Sequence, residues 1–247
     1  MRRVPVPAVL TGTLVLTVSL TGCGGDPVPI DPQGVDELEI PTPSADPDDF
    51  VDAIDNLYLP LAPGSRWVHR QSGREVRTIT VTVTDETRVV QGVTTTVVHD
   101  VVTGPDGEVV EDTHDWFAQD TVGNVWYFGE ETVEYDAQGH GDTEGSWEAG
   151  VDGAQAGIAM LAVPRVGDGY EQEHLEGVAE DRATVLTLDQ AVNVAFGTFQ
   201  DVLETEETTP LEPDQIERKY YAAGIGVVYE ETVGSDEAVE LVEFTAG

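Results

Sequence analysis

Asp112, His114 and Trp116 stand at every second position of the run 108–119, so on an extended strand their side chains leave the same face. Lining a cavity, a carboxylate, an imidazole and an indole would grip a ligand with a flat or apolar body and one polar group. Facing solvent, they would form a cross-strand row and nothing more. Arg218 and Tyr220 take the matching places in a later run of similar sequence, and Trp126, Trp147 and Tyr170 add aromatic surface. The seven candidate ligand contacts are His114, Trp116, Trp126, Trp147, Tyr170, Arg218 and Tyr220. Catalysis has less to stand on. His174, Glu180 and Asp181 could exchange protons, but among 48 acids a glycosidase-like pair is available anywhere. His69, His99, His114, His140 and His174 form no HExxH, and no Gly-x-Ser-x-Gly elbow, phosphate loop or Ser-x-x-Lys occurs. The acidic turns 120–124 and 136–142 offer oxygen ligands without the spacing of a calcium loop. No enzyme, no cofactor and no defined metal site is expected.

What must position these residues is a chain of 247 residues with 48 Asp and Glu against 11 Lys and Arg, a formal charge of -37. A polyanion with so few cations cannot release counterions from nucleic acid, and it is repelled by anionic headgroups. At 40% hydrophobic residues the chain can still bury a core. Lys219 is its single lysine.

Residues 1–22 have a basic head (Arg2, Arg3), an apolar middle and small residues before Cys23, which are the parts of a secretory signal peptide. Leu20-Thr21-Gly22-Cys23 resembles the lipobox of bacterial lipoproteins, in which the cysteine is diacylated and the bond before it is cut. That resemblance implies a protein anchored by palmitate-like chains on the extracytoplasmic face of the cell membrane, with Cys23 as the lipidation site. Two acyl chains anchor stably where one does not. Removing residues 1–22 takes two arginines and no acids, so -37 becomes -39. The single cysteine leaves none for a disulfide. Residues 23–49, rich in proline and acid, read as an extended tether. A short helix is expected next, with Ser44 or Asp46 as cap, Pro47 early, and Phe50, Val51 and Ile54 at helical spacing.

From residue 65 onward the period is two. Ile79, Val81 and Val83 alternate with Thr78, Thr80, Thr82 and Thr84, and further β-branched runs follow at 93–102, 108–119, 125–128, 132–135, 170–175, 182–188, 198–205, 216–222, 227–233 and 238–244. Trp116-Phe117-Ala118, Gly123, Val125-Trp126-Tyr127 and Glu130-Glu131-Thr132-Val133 recur in order as Tyr220-Tyr221-Ala222, Gly226, Val227-Val228-Tyr229 and Glu230-Glu231-Thr232-Val233. Such self-similarity implies one unit used twice, about 61–135 and 164–244, joined by a connection at 136–163. That connection is either a lid or an ordered crossover with Trp147 plugged into the core. The expected architecture is all-β: one domain, 50–247, an antiparallel meander of two related halves in a curved sheet, sandwich or barrel.

Several stretches carry a wider resemblance: 56–64, Asp115-Trp116-Phe117-Ala118-Gln119-Asp120, 123–130, Gly145-Ser146-Trp147-Glu148-Ala149-Gly150 and Tyr220-Tyr221-Ala222-Ala223-Gly224-Ile225-Gly226. They are similar to a family of secreted bacterial proteins, many of them lipoproteins of high-GC Gram-positive bacteria, that carries no established activity. More loosely, they resemble half-barrel envelope carriers that hold acyl chains on a concave sheet. The resemblance implies a non-catalytic, membrane-anchored protein holding an apolar or amphiphilic envelope ligand on an aromatic-lined β surface. Alternatives are a structural or interaction module without ligand and, less favoured, a hydrolase of envelope polymers. Labelled palmitate fed to the host should enter the protein, and Cys23→Ser should abolish the label; incorporation that survives the substitution would refute the anchor.

Overall fold

The computed structural model describes residues 45–247, which fold almost wholly as antiparallel strands. In chain order these are β1 (Phe50–Val51), β2 (Arg66–Ser72), β3 (Arg77–Val90), β4 (Val93–Thr103), β5 (Val109–Asp120), β6 (Val125–Tyr135), β7 (Gly141–Asp142), β8 (Trp147–Glu148), β9 (Gln155–Met160), β10 (Gly169–Glu171), β11 (Glu173–His174), β12 (Arg182–Asn193), β13 (Thr198–Thr208), β14 (Glu217–Ala222), β15 (Gly226–Thr232) and β16 (Ala238–Thr245). Threonine and valine fill the long strands because branched side chains pack well on a pleat.

Nearly every strand lies beside its neighbour in sequence. The hydrogen-bonded order is β10-β12-β13-β14-β15-β16-β2-β3-β4-β5-β6-β9-β11. Near its start the chain pairs with its end, Arg66 opposite Thr245 and Ser72 opposite Ala238. The other gap is bridged by one short stretch: residues 169–171 pair with β12 and residues 173–174 with β9. The sheet is therefore curled into a nearly closed barrel, the arrangement that removes exposed edges.

One end of the ring is stopped by residues 54–61. Asn56 Nδ2–H donates to the carbonyls of Gly123 and Leu161, at 2.9 and 3.0 Å, and Asn56 Oδ1 accepts from the N–H groups of Tyr58 and Leu59. Gly224 N–H donates to the Leu57 carbonyl. The tips of the hairpins β5–β6 and β14–β15 thus hold the same segment. Asp120 rigidifies the first tip: its carboxylate accepts five hydrogen bonds, from the backbone of Val122, Gly123 and Asn124 and from the side chains of Asn124 and Trp126. Asp136 serves its own turn likewise, accepting from the N–H groups of Gln138 and His140. Both acidic turns are thus closed on themselves by their leading aspartate.

Apolar side chains collect in two clusters. The larger contains Val83, Ile158, Met160, Leu203 and Leu241; the smaller contains Val97, Trp116, Phe128 and Trp147. Each fully buried side chain of this size contributes about 1.5–3 kcal/mol relative to exposure. The connection 136–163 is an ordered crossover carrying β7, β8 and β9, with Trp147 buried. The helix expected to run on to Ile54 is reduced to one 3-10 turn, Pro47–Asp49, capped by the Asp46 carboxylate as expected. Phe50 and Val51 go instead to β5, pairing with Asp120 and Gln119, because edge hydrogen bonds and the packing of Phe50 against Trp126 and Phe128 outweigh a helix of two turns. Ser44, the alternative cap, lies outside the described residues, as do the signal segment and Cys23.

Gly157 sits where the ring closes. A Cβ there would lie 2.3 Å from the backbone carbon of Gln172. Neither backbone can retreat without parting β9 from the 169–174 strand. Gly157→Ala should therefore cost about 2–3 kcal/mol in urea denaturation, with the same m-value; a change below about 0.5 kcal/mol would show that the two backbones do not meet.

Candidate ligand cavity in the barrel

A cavity of about 400 Å³ lies inside the ring. Its walls come from β3, β4, β5, β6, β9, β11, β13, β14 and β15, which is possible only because the sheet curls around it. Leu59, Leu61, Val81, Val98, Phe117 and Val227 give it an apolar side. Opposite in character are seven carboxylates, Asp100, Asp115, Glu130, Glu173, Asp181, Glu207 and Glu230, with Lys219 among them.

Two bulges make this wall. Across β5–β6, Asp115 faces Glu130 and Phe117 faces Tyr127, so Phe128 and Gly129 together oppose Trp116. The extra residue lets Tyr127 and Glu130, three positions apart, share the cavity face. Gly129 has φ +129°, and a Cβ on it would lie 2.3 Å from the Trp147 carbonyl oxygen. Across β14–β15, Lys219 faces Glu230 and Tyr221 faces Val227, leaving Val228 as the extra residue. Again two residues three apart, Val227 and Glu230, reach the same space. The two hairpins that share sequence therefore share a bulge, with Asp115 in one standing where Lys219 stands in the other.

Burial and mutual repulsion govern the charges. Burial first, and then the charges of Asp115, Glu111 and Glu230, push Asp100 up to about 8. Glu130 rises to about 8 through burial and then Asp115 and Glu173. Glu173 reaches about 8 through burial and Asp181, against the hydrogen bond donated by Trp147 Nε1–H at 3.0 Å. Asp115 is raised only to about 6: burial dominates, but the Tyr127 hydroxyl donates to it at 2.7 Å and favours the anion. Burial raises Glu230 as well, while Lys219 pulls it back. Burial would lower Lys219, yet Glu207, 2.8 Å from its Nζ, and Glu230 together hold it well above the ordinary lysine value. At neutral pH the cavity thus combines neutral carboxyl groups, which both donate and accept, with one lysine held by Glu207. Asp100 Oδ1 and Gln172 Oε1, both in this wall, are buried without a hydrogen-bond partner among the described residues.

None of the seven sequence candidates lines this cavity. Asp112, His114 and Trp116 do share a face, as their parity requires, but it is the opposite one, because Asp115 and Phe117 point inward. There they border a groove of about 500 Å³, with the Arg88 guanidinium 3.9 Å over the Trp116 ring and ion-paired to Glu148. Arg218 and Tyr220 are likewise opposite in parity to Lys219 and Tyr221. Arg218 pairs with Glu204 and Glu206, and the Tyr220 hydroxyl donates to Glu231. Trp126 is tied to Asp120 beside the capped end. Trp147 stands edge-on to Tyr127 of the cavity wall, and Tyr170 is buried in the larger apolar cluster. Asp181, weighed as an acid or base, does reach the cavity. The other six carboxylates and Lys219 carry no local signature, although a lone lysine in so acidic a chain was a signal to follow.

No protein-family model and no curated protein matches the chain. Two solved structures resemble it at a distance. One is a Bacteroides fragilis protein described as exported with a YmcC-like fold, at 12% identity and TM-score 0.45, covering 77% of this chain and 100% of its own. The other is described as a lipoprotein of Parabacteroides distasonis, at 11% identity and TM-score 0.42, covering 79% and 100%. At that overlap they carry nothing about function across to this chain.

The raised carboxyl groups give the barrel a pH dependence. Between 4.5 and about 8 the folded protein keeps protons on Glu130 and Glu173 that the unfolded chain has released. Their contribution is complete below pH 4.5 and is lost as pH rises toward 8, each group at up to about 1.4 kcal/mol per pH unit. His69, lowered by burial, acts oppositely below about 6.5. Because at least three such acids, Asp100 included, outweigh the single His69, thermal melts should show Tm already falling above about pH 5 and falling on to about pH 8.5, and Glu173→Gln, which still accepts from Trp147, should flatten that fall. A Tm that rises over the same range would contradict the inward placement of these acids.

Proposed function

We propose that this protein is a lipid-anchored, extracytoplasmic, non-catalytic binding protein that holds a small amphiphile inside its barrel. The observation that carries the reading is the two-sided cavity, an aliphatic and aromatic wall facing the buried polar atoms Asp100 Oδ1 and Gln172 Oε1, which have no hydrogen-bond partner among the described residues. A ligand fitting both would place an apolar body against Leu59, Leu61, Val81 and Phe117. Its head, donating hydrogen bonds or carrying positive charge, would meet Asp100 and Gln172. A volume of about 400 Å³ falls at the small end of ligand sites. The signal-like segment 1–22 and the lipobox-like Cys23 support the extracytoplasmic location and the membrane as the attached partner. An aromatic-lined surface gives way in this reading to a mixed one, since Phe117, Tyr127 and Tyr221 are the rings that reach the cavity.

Trp147 offers a reporter, because its ring abuts Tyr127 in the cavity wall. Titrating the unacylated chain with octylamine should shift tryptophan emission saturably, with at least about tenfold tighter binding than octanoate. Val227→Phe, which fills part of the space, should weaken it. Equal affinity for amine and carboxylate, or no saturable response to either, would sink the proposal.

A further inference from the structure

β4 and β5 carry a second polar group on the face turned away from the cavity. His99 and His114 are direct cross-strand partners, and Asp112, two residues before His114, occupies the same face one step along. The imidazole rings stack with centroids 4.3 Å apart and planes 15° from parallel. Both rings turn a nitrogen toward the same oxygen: Asp112 Oδ1 lies 3.0 Å from His99 Nε2 and 3.6 Å from His114 Nδ1. All three ligand atoms fall within 4.8 Å of one another. The side chains are 33%, 36% and 43% exposed for His99, Asp112 and His114, so an ion can reach them from solvent.

Hydrogen bonding alone would explain one imidazole on this carboxylate. It does not require two nitrogens from stacked rings to converge on a single carboxylate oxygen. Around a tetrahedral ion with bonds of about 2.1 Å, adjacent ligand atoms lie about 3.4 Å apart, and the two distances to Asp112 bracket that value. The two ring nitrogens lie within 4.8 Å of each other, and the rings would unstack on binding so that both in-plane lone pairs meet one ion. Two imidazole nitrogens and one carboxylate suit a zinc-class divalent ion with a fourth position open, whereas calcium would need six or more oxygens.

We propose that His99, Asp112 and His114 bind one zinc-class divalent metal ion on the outer face of the β4–β5 pair. Asp112 and His114 border a groove that also contains Glu86 and Glu131, whose charges raise the local cation concentration. Arg88, the cation in that groove, is engaged with Glu148 and Trp116. The ion and the amphiphile would occupy opposite faces of the sheet, so either can fail experimentally without the other.

The test is zinc titration of the full-length protein in non-ionic detergent, by competition with a chromophoric chelator, at about 0.5 M NaCl to suppress diffuse binding to so acidic a chain. One zinc per chain is expected, with visible absorption of tetrahedral type when cobalt replaces it. His99→Ala and His114→Ala should each weaken binding by at least about 30-fold, and His140→Ala, on an exposed turn, should leave it unchanged. Should a variant fold poorly, diethylpyrocarbonate modification of the unaltered protein decides the matter, since zinc should protect His99 and His114 and spare His140 from protection. Zinc binding that is indifferent to these substitutions, or the absence of any protection at His99 and His114, would overturn the site.

Discussion

Residues 169–174 pair with β12 along their first half and with β9 along their second, and this double pairing turns a long sheet into a ring. Without it two edges would stand open, and the acids now held inside would face bulk water. The environment that raises Glu130 and Glu173 to about 8 follows from that closure, because only a curled sheet brings β6, β11 and β15 around one space. Burying like charges is unfavourable unless they are neutralised or paired, and this interior uses both means. Protons sit on several carboxyl groups, and Lys219 is held by Glu207.

Much of the fold was legible from alternation and turn residues. The runs at 93–102, 182–188 and 238–244 became strands with ends shifted by a few residues, because period two is a local property. The turns followed from glycine and aspartate, of which Asp120, with its five donors, is the plainest example. The segment after Asp46 departs from its helical spacing for a non-local reason. Phe50 has a helix-compatible spacing to Ile54, but its ring is claimed by Trp126 and Phe128, more than seventy positions away.

The site was legible only in part. Parity grouped Asp112, His114 and Trp116 correctly, yet nothing within one strand says which face becomes the interior; that is decided when the sheet curls. Register is equally hidden. Thr103 pairs with Val109, but a bulge shifts the count so that Val102 pairs with Glu111 and His99 with His114. Carried on without that bulge, the pairing would set His99 opposite Thr113. One inserted residue therefore decides whether two histidines meet, and no spacing rule in the sequence announces it.

β2 finds its partner in β16, at the far end of the chain. No growing or threading polypeptide can complete that pairing before residue 238 has emerged, so the ring is sealed late, by its most distant contact. Proteins dominated by such remote pairings fold slowly. Until the final strand arrives, β2 and β15 each present an unpaired margin, and a chain stopped short of its last ten residues would be a sticky ribbon rather than a vessel.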